Sequence, residues 1–236
     1  MTSTWRVALV GGLLGLATVA VVIWLVLSGA LPTGAKRAQA SAEGPVLVAL
    51  VLPDADGVNV PRAIELYARM NGKLTLTAID PDQEATVSGT SAKTLADAYT
   101  FGGGGALADA YALSGGADEP AWVVVGQDAW NALRGGAPVE LNIPAPLEVF
   151  DGSRLYSYPQ GPTSVPVAEV RRVLDGVQLL SSQLRRGVRM QLGDGLAETI
   201  ARDGAANVSE LRTNLSDEDA AAWIAILGPT VRAQGE

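Results

Sequence analysis

Val7 to Leu27 is a run of 21 residues without a charged side chain, rich in Val, Leu, Ala and Gly. As a helix rising about 1.5 Å per residue it reaches about 30 Å, the thickness of a bilayer's hydrocarbon core. Trp5 and Trp24 lie near its two ends, where amphipathic rings favour the membrane interface. A buried core helix rarely runs so long without a charge. A secretory signal has an apolar stretch of only about 7–15 residues before a small-x-small site. Ser28-Gly29-Ala30 supplies such a site and Ala38-Gln39-Ala40 a more distant one, but the run is too long for a signal, and the expectation is an uncleaved anchor. Arg6 stands on one side of the run and Lys36 and Arg37 on the other, so charge encodes orientation weakly. A short tail ahead of a long exported domain stays in the cytoplasm. The expected order is therefore a cytoplasmic tail at 1–6, a single transmembrane helix at 7–27 and a linker at 28–44. An extracytoplasmic domain at 45–231 and a frayed tail at 232–236 follow.

Charge and missing residue types narrow the function of that domain. The chain carries a formal charge of −8, and Arg6, Lys36 and Arg37 are the only charges before residue 38, so the remainder carries −11. That surface argues against a nucleic-acid partner or a general anionic-lipid binder, since both need basic patches. There is no cysteine, which excludes disulfides, thiolate metal sites and lipoprotein processing. There is no histidine either, which excludes a Ser-His-Asp hydrolase and a histidine-ligated zinc centre.

Hydrophobic periodicity then gives the elements. Val46 to Leu52 is a continuous apolar run of strand length, as in a strand covered on both faces. Ile64–Met70 and Leu74–Ile79 flank Asn71-Gly72-Lys73, a hairpin signal. Ser91–Tyr99 reads as a helix capped at Ser91, stopped by the glycines at 102–105, with a second short helix at Ala106–Ser114. Trp122–Val125 and Val139–Ile143 read as strands around a helical turn at Asp128–Leu133, and Ser153–Tyr158 as an edge strand. Val167–Leu180, Arg189–Arg202 and Ser216–Leu227 read as helices, the last opened by a capping-box pair of Ser216 and Asp219. Interleaved strands and helices with short connections indicate an α/β layered domain.

Three clusters carry possible chemistry. Phe101 to Ala106 is glycine-rich, but it lacks the Gly-Lys-Ser/Thr ending of a phosphate loop and follows a helix rather than a strand. It reads as a helix terminator. Asp80, Asp82 and Glu84 alternate after a strand end, either as oxygen ligands for a hard cation or as a solvated turn around Pro81. Arg185, Arg186 and Arg189 stand just before and at the start of a helix. Arg186 and Arg189, three apart, share a face and offer either a fork for phosphate oxygens or salt bridges to the abundant carboxylates.

The order of these pieces resembles the LytR-CpsA-Psr (LCP) family of cell-envelope proteins. Leu95 to Gly103 is similar to the family's Asn-Ala-Ala-Tyr helix running into a double glycine. Trp122 to Pro144 is similar to its strand, short helix, Gly-Gly and second strand ending at proline. Tyr158-Pro159-Gln160-Gly161, the Leu174-Asp175-Gly176 helix and Asn214-Leu215-Ser216 follow in the family's order. The resemblance implies a layered α-β-α domain with a mixed central sheet. It implies transfer of a glycan from a polyprenyl-pyrophosphate carrier to peptidoglycan or a related wall polymer. Arginines hold the pyrophosphate, and acidic residues act with a divalent cation such as Mg²⁺. On this pattern Arg186, Arg189 and Gln191 resemble the family's Arg-x-x-Arg-Gln and become the pyrophosphate candidates, with Asp82 the metal candidate.

The pattern is incomplete. The family's Ser-Ile-Pro-Arg-Asp segment falls on Ala78-Ile79-Asp80-Pro81-Asp82, with Pro81 in place of the arginine. Its Arg-Ser-Asp segment falls near Val60-Pro61-Arg62, with no aspartate. An arginine pair expected near Ser182-Gln183-Leu184 is not kept. One charge-stabilising group is worth roughly 10²–10³ in rate, so the expectation is a degenerate domain that binds a lipid-linked or wall glycan. The alternatives are an active phosphotransferase and a scaffold subunit of an envelope complex. The first two readings require Asp82 and the arginines to converge on one apolar groove opening toward the membrane.

Overall fold

The computed structural model describes residues 44–70, 73–87, 90–204 and 211–234. The expected cytoplasmic tail at 1–6, the expected anchor at 7–27 and the linker up to residue 43 lie outside the described residues, while the tail expected at 232–236 is helical as far as Gln234. Among the described residues no helix is long and apolar enough to cross a membrane.

In chain order the elements are β1 (Val46–Pro53), β2 (Asn59–Met70), β3 (Lys73–Ile79), α1 (Leu95–Leu113), β4 (Ala121–Val125), α2 (Gln127–Arg134) and β5 (Val139–Ile143). They continue with β6 (Leu147–Phe150), β7 (Leu155–Tyr158), β8 (Gly161–Val165), α3 (Val167–Val177), α4 (Ser182–Asp203), β9 (Arg212–Thr213) and α5 (Asp217–Gln234). The central sheet has the order β3-β2-β1-β4-β9, and only β1 and β4 run parallel. It is the mixed sheet of an α/β fold.

Every residue from Val46 to Leu52 is buried, which fits the continuous apolar run in the sequence. Val46, Val48, Leu50 and Leu52 face a large core closed by α2, α3, α4 and α5, with Trp130, Val173, Leu192 and Trp223 among its members. Leu47, Ala49 and Val51 face the opposite way, toward Leu95, Ala98 and Leu107 of α1. Helices thus cover both faces of the sheet.

The glycine run does break the helix. Within α1 the backbone leaves helical geometry at Gly102 (φ −146°) and Gly103 (φ +69°), a left-handed region that favours glycine. Gly104 is then pressed against the Trp122 ring, and a Cβ placed there would lie 2.4 Å from it. Trp122 is itself fixed from the other side, its backbone N–H donating to Asn214 Oδ1 at 2.8 Å.

Other details differ from the sequence reading. The cap of α1 is Thr94 rather than Ser91: its hydroxyl accepts from the Asp97 N–H while Asp97 accepts from the Thr94 N–H. The helix expected from Arg189 begins at Ser182, so Arg185 and Arg186 lie inside α4. The helix expected to run to Leu180 ends at Val177. The expected edge strand pairs with β6 in a separate two-stranded ribbon, and β5 pairs with β8 in another. β6 and β8 are short and carry little apolar alternation, so the period-2 signal was weak there.

Gly104→Ala is expected to destabilise the domain by about 1–3 kcal/mol through overpacking against Trp122. Gly187→Ala, on the exposed side of α4 with open space around it, is expected to stabilise by about 0.5–1 kcal/mol from helix propensity. Urea denaturation of the two variants checks both signs.

Candidate functional site

β1 and β2 open at one end of the sheet into a cleft of about 390 Å³. Asp54 organises the connecting turn, its Oδ1 accepting from the Asp56 and Val58 N–H groups at 2.9 and 2.8 Å. The register of β2 against β1 slips between Leu50–Ala63 and Val51–Pro61, leaving Arg62 as the extra residue of a β-bulge. The bulge brings the Arg62 side chain to the cleft wall, although only 3% of it is exposed.

A guanidinium buried that far needs partners. Arg62 Nη2 donates to Asp175 Oδ1 at 2.9 Å and to the Pro53 carbonyl at 3.1 Å. Its Nε is buried without a hydrogen bond. Burial pulls the Arg62 pKa down and Asp175 pulls it back. Asp175 sits near the end of α3 and also faces Arg171 at 3.7 Å.

The second guanidinium comes from α4. Arg189, 7% exposed, directs Nη1 to Asp80 Oδ1 at 3.1 Å and Asp82 Oδ2 at 2.9 Å. Asp82 Oδ2 also lies 3.8 Å from Arg185 Nη2. The Asp80-Pro81-Asp82 turn is held locally, with the Asp82 N–H donating to Asp80 Oδ1 at 3.0 Å and the Gln83 N–H to the Asp80 carbonyl at 2.9 Å. The turn is tied to α1 by the Ala96 N–H, which donates to the Pro81 carbonyl.

Asp82 and Arg189 therefore converge, as expected. The groove is mixed: Val60, Pro61 and Ala96 give it apolar surface, while Asp54, Asp56, Asp82 and Asp175 line it beside Arg62 and Arg189. Arg186 lines a small adjoining hollow with Asp80 and Met190 and is exposed. Gln191 lies elsewhere, accepting from the Asn142 N–H of β5 at 2.6 Å and donating to the Gly187 carbonyl. Glu84 pairs by a β-bridge with Thr94 and lines a different hollow. Among the described residues no three carboxylates gather to hold a metal ion. Sequence reasoning placed Arg62 in a family segment but did not single it out, and it passed over Asp175. Neither stood out in the sequence, because β2 also carries Glu65 and Arg69 and α3 also carries Glu169, Arg171 and Arg172.

A buried acid lies beyond the cleft on the same strand. Glu65, 1% exposed, accepts from Tyr67 Oη at 2.8 Å. It packs so closely on Gly193 that a Cβ there would lie 2.6 Å from Oε1. Burial lifts its carboxyl from 4.5 to about 7, against the hydrogen bond from Tyr67, and nearby Asp194 adds to the rise. Burial raises Asp194 as well.

The class these features define is a mixed α/β domain with a two-arginine, carboxylate-lined cleft at one end of its central sheet. Its structural neighbours are LytR-CpsA-Psr proteins. The LytR-Csp2A-Psr enzyme from Actinomyces oris superposes with a TM-score of 0.59 at 15% identity, covering 84% of this chain and 80% of that one. TagT bound to LIIa-WTA gives 0.51 at 16% identity, over 82% and 79% of the two chains. B. subtilis TagV gives 0.50 at 13%, over 79% and 80%. No protein-family model and no curated protein matches the sequence. At these identities what is shared is the fold, and the chain has the LCP fold.

Two stability measurements test this account. A raised carboxyl keeps its proton in the folded protein after the unfolded chain has lost it, so its contribution falls as pH rises from about 4.5 toward about 7. Glu65→Gln is expected to flatten that decline and to be more stable than wild type at pH 8 by up to about 3 kcal/mol. Asp194 leaves a residual slope of the same sign. Urea midpoints at pH 5 and pH 8 decide it. Asp175→Asn, which leaves the buried Arg62 with a weaker partner, is expected to cost about 2 kcal/mol at pH 7, read from the same curves.

Proposed function

We propose that this chain is a divergent, membrane-tethered LCP-fold protein of the cell envelope. Its cleft binds a polyprenyl-pyrophosphate-linked or wall glycan without efficient transfer. The observation that carries the reading is the placing of two nearly buried guanidinium groups, Arg62 from β2 and Arg189 from α4, on the walls of one cleft. Guanidinium forks suit phosphate oxygens. The uncharged run at 7–27 serves as the tether, which keeps the domain near a lipid carrier. The extracytoplasmic side is where such a carrier meets peptidoglycan.

Weak turnover follows from the charge balance. Both cleft arginines already face carboxylates, and Pro81 stands where the LCP pattern has a further arginine. Little positive charge is left to stabilise a leaving phosphate. A hard divalent cation usually binds through one or two carboxylates together with a substrate's phosphates. Asp82, 42% exposed, fits that limited part. A cation bound there would neutralise phosphate charge.

The test is binding of a short-chain polyprenyl pyrophosphate to the full chain in a non-ionic detergent, with and without Mg²⁺. Saturable binding is expected, weakened at least tenfold in Arg62→Gln and Arg189→Gln and little changed in Arg186→Ala, whose side chain lies outside the cleft. Absence of binding at millimolar ligand with Mg²⁺ would leave the chain as an envelope scaffold that keeps only the fold.

A further inference from the structure

We propose that Asp82 is a built-in competitor. Its carboxylate occupies the anion seat of Arg189, and a phosphate-bearing ligand binds only by displacing it. This inference rests on the proposed function and adds to it the control of the same site.

The two partners differ in how firmly they are held. Arg189 is 7% exposed and set into the wall by α4, whereas the Asp82 side chain is 42% exposed and free to rotate toward solvent from its fixed turn. The guanidinium is thus the fixed member of the pair and the carboxylate the movable one. At 2.9 Å from Arg189 Nη1 and 3.8 Å from Arg185 Nη2, Asp82 Oδ2 sits where a phosphate oxygen would have to sit to use both arginines. Released, Asp82 has water beside it, so leaving the seat costs little desolvation.

The turn makes the competitor effective. Pro81 fixes its own φ, and Asp80 Oδ1 caps the Asp82 N–H at 3.0 Å. Asp82 is therefore presented to Arg189 without the entropy loss that a free anion suffers on binding. Asp80 makes a second contact on the same Nη1 at 3.1 Å, but its Oδ1 also serves the turn. Asp82 is the group whose exchange opens the seat.

Asp56 supplies the control. It lines the same cleft and carries the same charge, yet its side chain makes no contact with Arg189 among the described residues. General repulsion predicts equal effects of neutralising either residue, whereas displacement predicts an effect at Asp82 alone.

The experiment titrates the full-length protein with inorganic pyrophosphate in EDTA by calorimetry, so that no divalent cation contributes. Wild type, Asp82→Asn, Asp56→Asn and Asp82→Asn/Arg189→Gln are compared. Asp82→Asn is expected to bind about tenfold more tightly than wild type, the worth of one charge-assisted hydrogen bond. Asp56→Asn is expected within about twofold of wild type, and the double variant to lose the gain. Asp80→Asn, giving a smaller gain of the same sign, serves if Asp82→Asn does not fold. Equal gains at Asp56 and Asp82, or no measurable binding by Asp82→Asn, overturn the inference. The second outcome leaves the proposed function to be judged by its own lipid-pyrophosphate titration with Mg²⁺. Tighter pyrophosphate binding by Asp82→Asn with no lipid-pyrophosphate binding by any form would uphold the inference and remove the lipid carrier.

Discussion

β1 has no solvent-facing side chain from Val46 to Leu52, and the rest of the fold answers to that burial. A strand buried on both faces needs helices above and below and hydrogen-bonded neighbours on both edges. Here β2 closes one edge antiparallel and β4 the other in parallel. A parallel neighbour requires a long crossover. This chain uses the crossover to carry the β2–β3 hairpin and α1, which supplies the second core. The end of β1 therefore becomes the meeting point of the β1–β2 turn, the bulge at Arg62, the turn after β3 and the first turn of α1. α3 and α4 approach from the other face. The cleft lies there because the crossover and the helix layers leave that end open.

A domain as acidic as this one could hold a buried arginine simply by surrounding it with carboxylates, but the arrangement is more selective. Arg62 takes Asp175 and a backbone carbonyl, and Arg189 takes Asp80 and Asp82. Each pair joins segments distant in sequence: β2 to α3, and the turn after β3 to α4. Such partly buried pairs add little net stability over an apolar contact, while breaking one strands a charge. Their effect is to fix which elements meet at the cleft, so the counter-ions are part of the site's geometry and not a surface coincidence.

Much of the frame was legible because burial leaves a periodic trace. The unbroken run at Val46–Leu52 states a local rule that the structure follows, and the hairpin signal after Met70 is met by the antiparallel pairing of β2 with β3. The break at Gly102–Gly103 was readable for the same reason. What was not legible depends on distant partners. Arg62 in a strand and Asp175 in a helix look like ordinary charges until the bulge sets one against the other. β6 and β8 bury one or two side chains each, too few to write a pattern. The convergence of Asp82 with Arg189 could be stated as a requirement of a family likeness, whereas the acidic lining around them follows from loop placement, which local sequence does not encode. Gln191 shows the converse: the motif fits, yet the side chain is committed to the backbone of β5.

The segment Asp80-Pro81-Asp82 brings these points to one place. An arginine at the middle position would add a cation to the cleft; proline instead makes a rigid turn that sends two carboxylates toward Arg189. With Asp54, Asp56, Asp82 and Asp175 around Arg62 and Arg189, such a cleft is poorly placed to stabilise a developing negative charge, and under the proposed competition its arginines stay occupied until an anion arrives. For a protein that turns over substrate this would be a loss, because each missing donor lowers the rate by orders of magnitude. For a protein that only senses or retains a phosphate-linked glycan it is an advantage. Weak, displaceable seating permits release, and an internal counter-ion keeps adventitious anions out of the cleft. The pairing of Asp80 and Asp82 with Arg189 is in keeping with the proposed function, in which the cleft binds an anion without transferring it efficiently.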